Sequence, residues 1–212
     1  MIDLHVHSVF SDGELVPSEI SRRLSELGHE AFAVTDHADF SNMEFIIKSL
    51  LKLRELADDY EIRMVAGVEL THIPPKLIPR AVKSARKMGA ELVIVHGETI
   101  AEPVRAGTNI AAVQEEIDIL AHPGMVDERT AELARENNVF FEITSRKGHC
   151  LTNGHVARTA EICGVELVIN TDAHSPSDFI TKDFARKVLE GAGVRDVERV
   201  FRNSSKIVRL YK

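Results

Sequence analysis

The chain has 212 residues, a net charge of −7, 44% hydrophobic residues and 28% charged ones. That suits one compact domain with a sizeable core and excludes a disordered, collagen-like or low-complexity chain. No apolar run reaches the ~18–20 residues of a membrane helix, and no basic face offers a grip on nucleic acid phosphates.

In chain order, short β-branched apolar runs alternate with helix-period segments. A strand is predicted at 2–6 and a helix at 17–27, opened by Pro17 and closed by Gly28. A strand at 31–35 precedes a helix at 42–57, which carries Phe45, Ile46, Leu50, Leu53 and Leu56 at helical spacing. A strand at 63–67 leads to a helix at 78–88 that ends at Gly89. Strands at 91–95 and 117–121 follow, then a helix at 127–137. A strand at 139–143, a helix at 153–163, a strand at 166–170 and helices at 178–189 and 195–202 complete the chain. The strand starts, 2, 31, 63, 91, 117, 139 and 166, lie 22 to 32 residues apart, the spacing of successive β-α units. Seven such units without a linker predict one α/β domain over 1–212, either a closed barrel or an open doubly wound sheet. No G-x-G-x-x-G or G-x-x-x-x-G-K-[ST] follows any strand, which argues against the open nucleotide-binding sheet. A barrel places its site at the C-terminal strand ends.

Six of the seven ends carry metal-ligating residue types. They are His5 and His7, Asp36 and His37, Glu69, His96 and Glu98, His122, and Asp172 with His174. In extended chain, residues i and i+2 share a face, so His5 and His7 can approach one ion together, as can Asp172 and His174. Asp12 can fold back over the mouth, with Gly13 permitting the turn. Each pair alone is a weak signal. Jointly they would be costly polar side chains gathered in one mouth, and metal coordination compensates that cost. Of the other histidines, His29 reads as an exposed helix-exit cap and His72 as a rim residue at most. His149 and His155 lack the spacing for a separate zinc site. The two cysteines, Cys150 and Cys163, form no C-x-x-C pair; Cys163 reads as core, and the composition fits a reducing cytoplasm. The first residues already read as folded protein, with no targeting segment expected.

These motifs in this order resemble the PHP family, named for polymerase and histidinol phosphatase. They are His5-x-His7 with Ser11-Asp12-Gly13, Thr35-Asp36-His37, Gly67-Val68-Glu69, His96, Ala121-His122-Pro123-Gly124 and Asp172-Ala173-His174. The resemblance implies a distorted seven-stranded (β/α)7 TIM-like barrel with two to three divalent transition metal ions (Zn, Mn or Fe) at its mouth. It implies that His5, His7, Glu69 and Asp172 hold a first ion, and that Glu69 bridges to a second completed by His96 and His122. Asp12, His37 and His174 would hold a third. Asp36 would lie behind the ligands, orienting a neighbouring His or capping the next helix.

The expected function is a stand-alone metal-dependent phosphatase, similar to the histidinol phosphatase-type members. It would hydrolyse a small phosphorylated metabolite by attack of a metal-bridging hydroxide. Glu69, Asp172 and His174 are the candidate catalytic residues. Three divalent ions against three carboxylates leave about +3, which suits a phosphate dianion. Arg146, Lys147 and Ser175 are candidate substrate-binding residues, Arg146 because its planar fork grips phosphate. Arg105 lies in a loop that can overhang the mouth, and His149 is a candidate proton donor to the leaving group. The alternatives are a phosphodiesterase or 3′–5′ exonuclease on nucleic acid, and a non-catalytic metal-dependent scaffold. Few aromatics, no Trp and no basic stripe argue against the exonuclease. No membrane partner is expected, and the oligomeric state is not encoded legibly.

Overall fold

The computed structural model describes residues 1–210. Eight strands alternate with helices: β1 (Ile2–Val6), α1 (Pro17–Glu26), β2 (Ala31–Val34), β3 (His37–Ala38), α2 (Met43–Leu51), α3 (Arg54–Asp58), β4 (Arg63–Leu70), α4 (Ile78–Met88) and β5 (Leu92–His96). Then come α5 (Thr108–Ala112), β6 (Ile119–Ala121), α6 (Glu128–Glu136), β7 (Phe140–Thr144), α7 (Asn153–Cys163), β8 (Leu167–Asn170), α8 (Lys182–Gly191) and α9 (Val197–Leu210). All pairings are parallel, in the order β1-β2-β4-β5-β6-β7-β8, with β3 also on β4. Ala31 pairs with Arg63 and His37 with Glu69, so β2 and β3 keep one register against β4 and act as a single interrupted stave. The result is a seven-staved, nearly closed barrel.

Closure is mostly a matter of side chains. Between β1 and β8 there is one backbone bridge, Val6 to Ala173, with the His7 N–H donating to the Ala173 carbonyl at 2.8 Å. Lower down, the Leu4 N–H donates to Asn170 Oδ1 at 2.9 Å. Asp3 accepts from the Thr171 N–H at 3.2 Å and the Thr171 hydroxyl at 2.5 Å. Helix α9 packs over this seam on both strands. An inner cluster containing Leu4, Ala33, Ile94, Ala121 and Val168 fills the barrel, and Ile207 and Val208 of α9 join it. The outer faces of the strands pack against the helices in a second, larger cluster. The register of β1 slips between Asp3 and Val6. A slip of this kind re-aims side chains locally: Leu4 joins the inner cluster while its neighbour His5 also reaches inward, toward Glu69.

Several elements differ from the sequence prediction. The helix expected over 42–57 is two, α2 and α3, because Lys52 and Leu53 turn back onto Ser49 and Leu50 with three-residue bonds. The helix expected from 178 starts at Lys182, after a tight turn at Pro176–Asp178. The last helix extends well past 202, and α5 was not foreseen. His29 is no exposed cap: it is 4% exposed, and its ring N–H donates from Nε2 to the Ile180 carbonyl at 3.0 Å. Its neighbourhood ties the α1 exit to the start of α8, which no local pattern announces.

Candidate metal centre

The strand ends deliver their polar side chains to one mouth. Glu69 lies inside β4, His96 ends β5, His122 follows β6 directly and Asp172 lies two residues past β8. His122 (φ 25°) and Asp172 (φ 53°) both have positive φ, a costly backbone for non-glycine residues that turns the chain at the mouth. Asp36 holds the loop that carries Asp12. It accepts from the Ser8 N–H (2.8 Å), the Ser8 hydroxyl (2.6 Å), the Ser11 N–H (3.1 Å) and the Ser11 hydroxyl (2.7 Å). So Asp36 neither orients a His nor caps a helix; it acts on the loop.

The nine expected ligands occupy this mouth. His5 Nε2 is 3.4 Å from Glu69 Oε1 and 3.6 Å from Asp172 Oδ1. His7 Nε2 is 3.2 Å from Asp172 Oδ1 and 3.8 Å from Glu69 Oε2. His122 Nε2 is 3.5 Å from Glu69 Oε1 and 3.6 Å from Asp172 Oδ2. On the outer side, Asp12 Oδ2 lies 3.5 Å from His37 Nε2 and 3.3 Å from His174 Nε2. Four groups bring ligand atoms within 4.8 Å of one another: His7–Asp12–His37–His174, His5–Glu69–His122, His5–His7–Asp172 and His122–His149–Asp172. His96 belongs to none of these tight groups; its ring centroid is 4.5 Å from that of His122.

Ring orientation is fixed from behind. His5 Nδ1–H donates to Glu142 at 2.8 Å, His174 Nδ1–H to the Asp172 carbonyl at 2.9 Å, and His96 Nδ1–H to the Gly97 carbonyl at 3.1 Å. Each leaves Nε2 free for a cation. His5 Nε2, both nitrogens of His7, Glu69 Oε1, His96 Nε2 and one nitrogen each of His122 and His149 are buried without any hydrogen-bond partner. Native interiors rarely leave such atoms unsatisfied, and so many at one mouth fit a set of metal ligands.

The electrostatics agree. Despite the penalty of burial, His5, His96 and His37 hold the Glu69 carboxyl well below its usual range, and His5 and His7 do the same for Asp172. Burial likewise opposes Asp12, but hydrogen bonds from His174 and His37 hold it down. Burial lowers His37 too, yet Glu69 and Asp12 push it up to about 10. His96 is lowered to about 3 by burial, and His149 to about 4 by burial and then by His122. The centre thus mixes neutral imidazoles with protonated ones beside carboxylates, and an entering cation would replace those protons.

Two of the candidate phosphate-binding residues, Arg146 and Ser175, connect to this cluster through Asp178. Arg146 Nη1 donates to Asp178 at 3.1 Å, and the same Asp178 oxygen accepts from the His174 N–H. Ser175 heads a capping box with Asp178. Lys147 is exposed; with Arg146 it lines a cavity of about 480 Å³ whose apolar wall includes Phe179 and Phe184. The Arg105 carbonyl caps α5, accepting from Thr108. His155 is structural, its Nε2–H on the Val126 carbonyl at 2.7 Å, and Cys163 sits half-buried at the edge of the core. Two residues at the mouth went unassigned as ligands or supports in the sequence, Glu142 and Glu102. Glu142 gave a signal, a charge inside the apolar run Phe140–Thr144. Glu102 gave none: it lies in a loop, 3.9–4.0 Å from His72, His96 and His149.

Comparison with known proteins follows the same lines. The family model of the PHP domain matches residues 3–98. An uncharacterised protein of Methanocaldococcus jannaschii is 52% identical over 199 residues, covering 92% of this chain and 91% of its own. The chain belongs to the PHP family. Among solved structures, a chain of an archaeal ribonuclease P bound to mature tRNA superposes with a TM-score of 0.76 at 19% identity, over 99% of this chain and 90% of that chain. The histidinol phosphate phosphatase of Lactococcus lactis, complexed with zinc, L-histidinol and phosphate, gives 0.68 at 16% identity, over 92% and 94%. Both likenesses are of fold. The family match ends shortly after β5, so His122, Asp172 and His174 join the centre from the part of the chain beyond it.

Proposed function

We propose that this PHP domain is a phosphomonoesterase acting on a small phosphorylated metabolite. The observation that carries it is the set of unpartnered ligand atoms converging at one mouth around Glu69 and Asp172. Divalent transition metal ions, when bound there, supply a water of lowered pKa and positive charge for the phosphate oxygens.

The residues of the chain have distinct parts. Glu69, with His5 and His122 near Oε1 and His7 and His37 near Oε2, is the carboxylate that would be shared between two ions. Asp172 gathers His5, His7 and His122. His174 with Asp12 and His37 forms the outer group, the one nearest solvent. Arg146 and Lys147, on the loop after β7, meet an incoming anion, and Asp178 holds the Arg146 guanidinium in place.

The test is a panel of phosphomonoesters and diesters assayed on metal-reconstituted protein. Phosphate release from a monoester, lost by orders of magnitude in Glu69→Ala, is the expected result. Release from diesters or shortening of single-stranded DNA instead would make it a diesterase or exonuclease. Retained metal without any turnover would make it a scaffold.

A further inference from the structure

Strand β7 ends without any of the nine expected ligands, yet the loop after it sends an imidazole into the mouth. We propose that His149 is a tenth metal ligand, binding with Asp172 the ion that His122 holds. The inference rests on the metal-centre reading above.

His149 is 6% exposed, and its Nδ1 is buried with no hydrogen-bond partner. Its nearest carboxylate outside the centre, Glu102, stands 3.9 Å from Nε2, too far for a hydrogen bond. Its ring centroid is 4.3 Å from that of His122, and it offers a ligand atom within 4.8 Å of one from His122 and one from Asp172. Two nitrogens and a carboxylate oxygen at that spacing are a donor set for zinc-like ions.

The placement is built, not incidental. Asn153 pins the end of β7, accepting from the Thr144 N–H at 3.2 Å and donating to its carbonyl at 2.8 Å. Gly148 then turns with φ 90°, where a side chain would be strained and its Cβ would stand 3.1 Å from that of Ala101. The short turn His149–Thr152 follows at once and starts with the ring in the mouth. Six residues on, His155 shows the contrast. A histidine held for structure has its carbonyl partner, Val126; His149 has none.

The test uses the full chain, stripped of metal by chelation and reloaded with Zn(II) or Co(II). In His149→Gln the ion shared with His122 should bind at least about tenfold more weakly in chelator competition. The visible Co(II) spectrum should change with it. His149→Asp, which keeps a donor, should restore most of the affinity, and His155→Gln should leave both readouts unchanged. A second measurement needs no variant: in ¹⁵N-histidine-labelled wild type, seven ring systems should shift on loading, not the six of the expected set. A His149→Gln isotherm and spectrum equal to wild type, or six shifted rings, would overturn the tenth ligand and leave the centre standing. Wild type that binds no ion would overturn the centre itself.

Discussion

Glu142 sits inside β7, wholly buried, and touches no cation from solvent. Its Oε1 accepts from His5 Nδ1 and from Asn170 Nδ2, both at 2.8 Å, and its Oε2 accepts from the His122 N–H at 3.0 Å. One carboxylate therefore sets the ring of one ligand and the backbone of another. Glu142→Gln keeps the shape and removes the charge that makes His5 a stronger donor. Metal affinity should fall by about 10- to 100-fold in chelator competition, with the fold intact by circular dichroism. A second residue carries a pH effect away from the mouth. Burial lowers the pKa of His29 from the usual 6.5, more than its bond to Ile180 raises it. Below about pH 6.5 the unfolded chain then binds more protons at this site than the folded one does, so His29 costs stability as pH falls. His29→Gln keeps an N–H donor and cannot titrate, so it should narrow the difference in melting temperature between pH 7.5 and 5.5. An unchanged difference would refute the assignment. At this scale eight of the nine expected ligands were legible because they lie at or just beyond the ends of apolar strands, and Asp12 because Gly13 marks the turn beside it. The contacts of Glu142 were not, although its charge within an apolar run marked it, and neither was the position of His149, which reaches the mouth through a turn whose direction only the fold defines.

Among the elements, the turn after β6 has the least freedom. Gly124 has φ 67°, and a Cβ there would stand 1.9 Å from the Glu98 carbonyl oxygen. Gly124→Ala would combine a left-handed backbone penalty of about 1–2 kcal/mol with a clash against main chain. It should lower the urea midpoint and displace His122, so stability and metal content fall together. Helix α6 offers the opposite case. Asp127 is its N-cap, accepting from the Thr130 N–H of its own helix at 2.7 Å. Asp127→Ala should cost ~1 kcal/mol in denaturant unfolding with metal content unchanged. Such caps were readable: Asp127 opens and Gly164 closes their helices where the sequence placed the ends. The break between α2 and α3 was not, because Leu50, Leu53 and Leu56 keep helical spacing across it and no glycine or proline marks it. The path of the chain over β4, and not local preference, ends α2.

For the molecule as a whole, seven β-α repeats made a barrel legible, but not how it closes. The seam between β1 and β8 has a single backbone bridge and otherwise depends on Asp3, Asn170 and Thr171. Those same two staves carry His5 and His7 on one side and Asp172 and His174 on the other. Any ion held by His5, His7 and Asp172 would therefore be a clip across the weakest joint of the barrel. Two consequences separate this from general stabilisation by a ligand. Chelation should lower the melting temperature, by the equivalent of about 4 kcal/mol if the ion is present at a thousand times its dissociation constant. It should also raise amide hydrogen exchange unevenly. Leu4 and His7, whose N–H groups bond across the seam, should lose protection first, whereas Ile94 and Val95, paired between β4 and β6 in the opposite wall, should change little. Equal loss in both walls would mean that the ions stabilise the barrel without joining its ends.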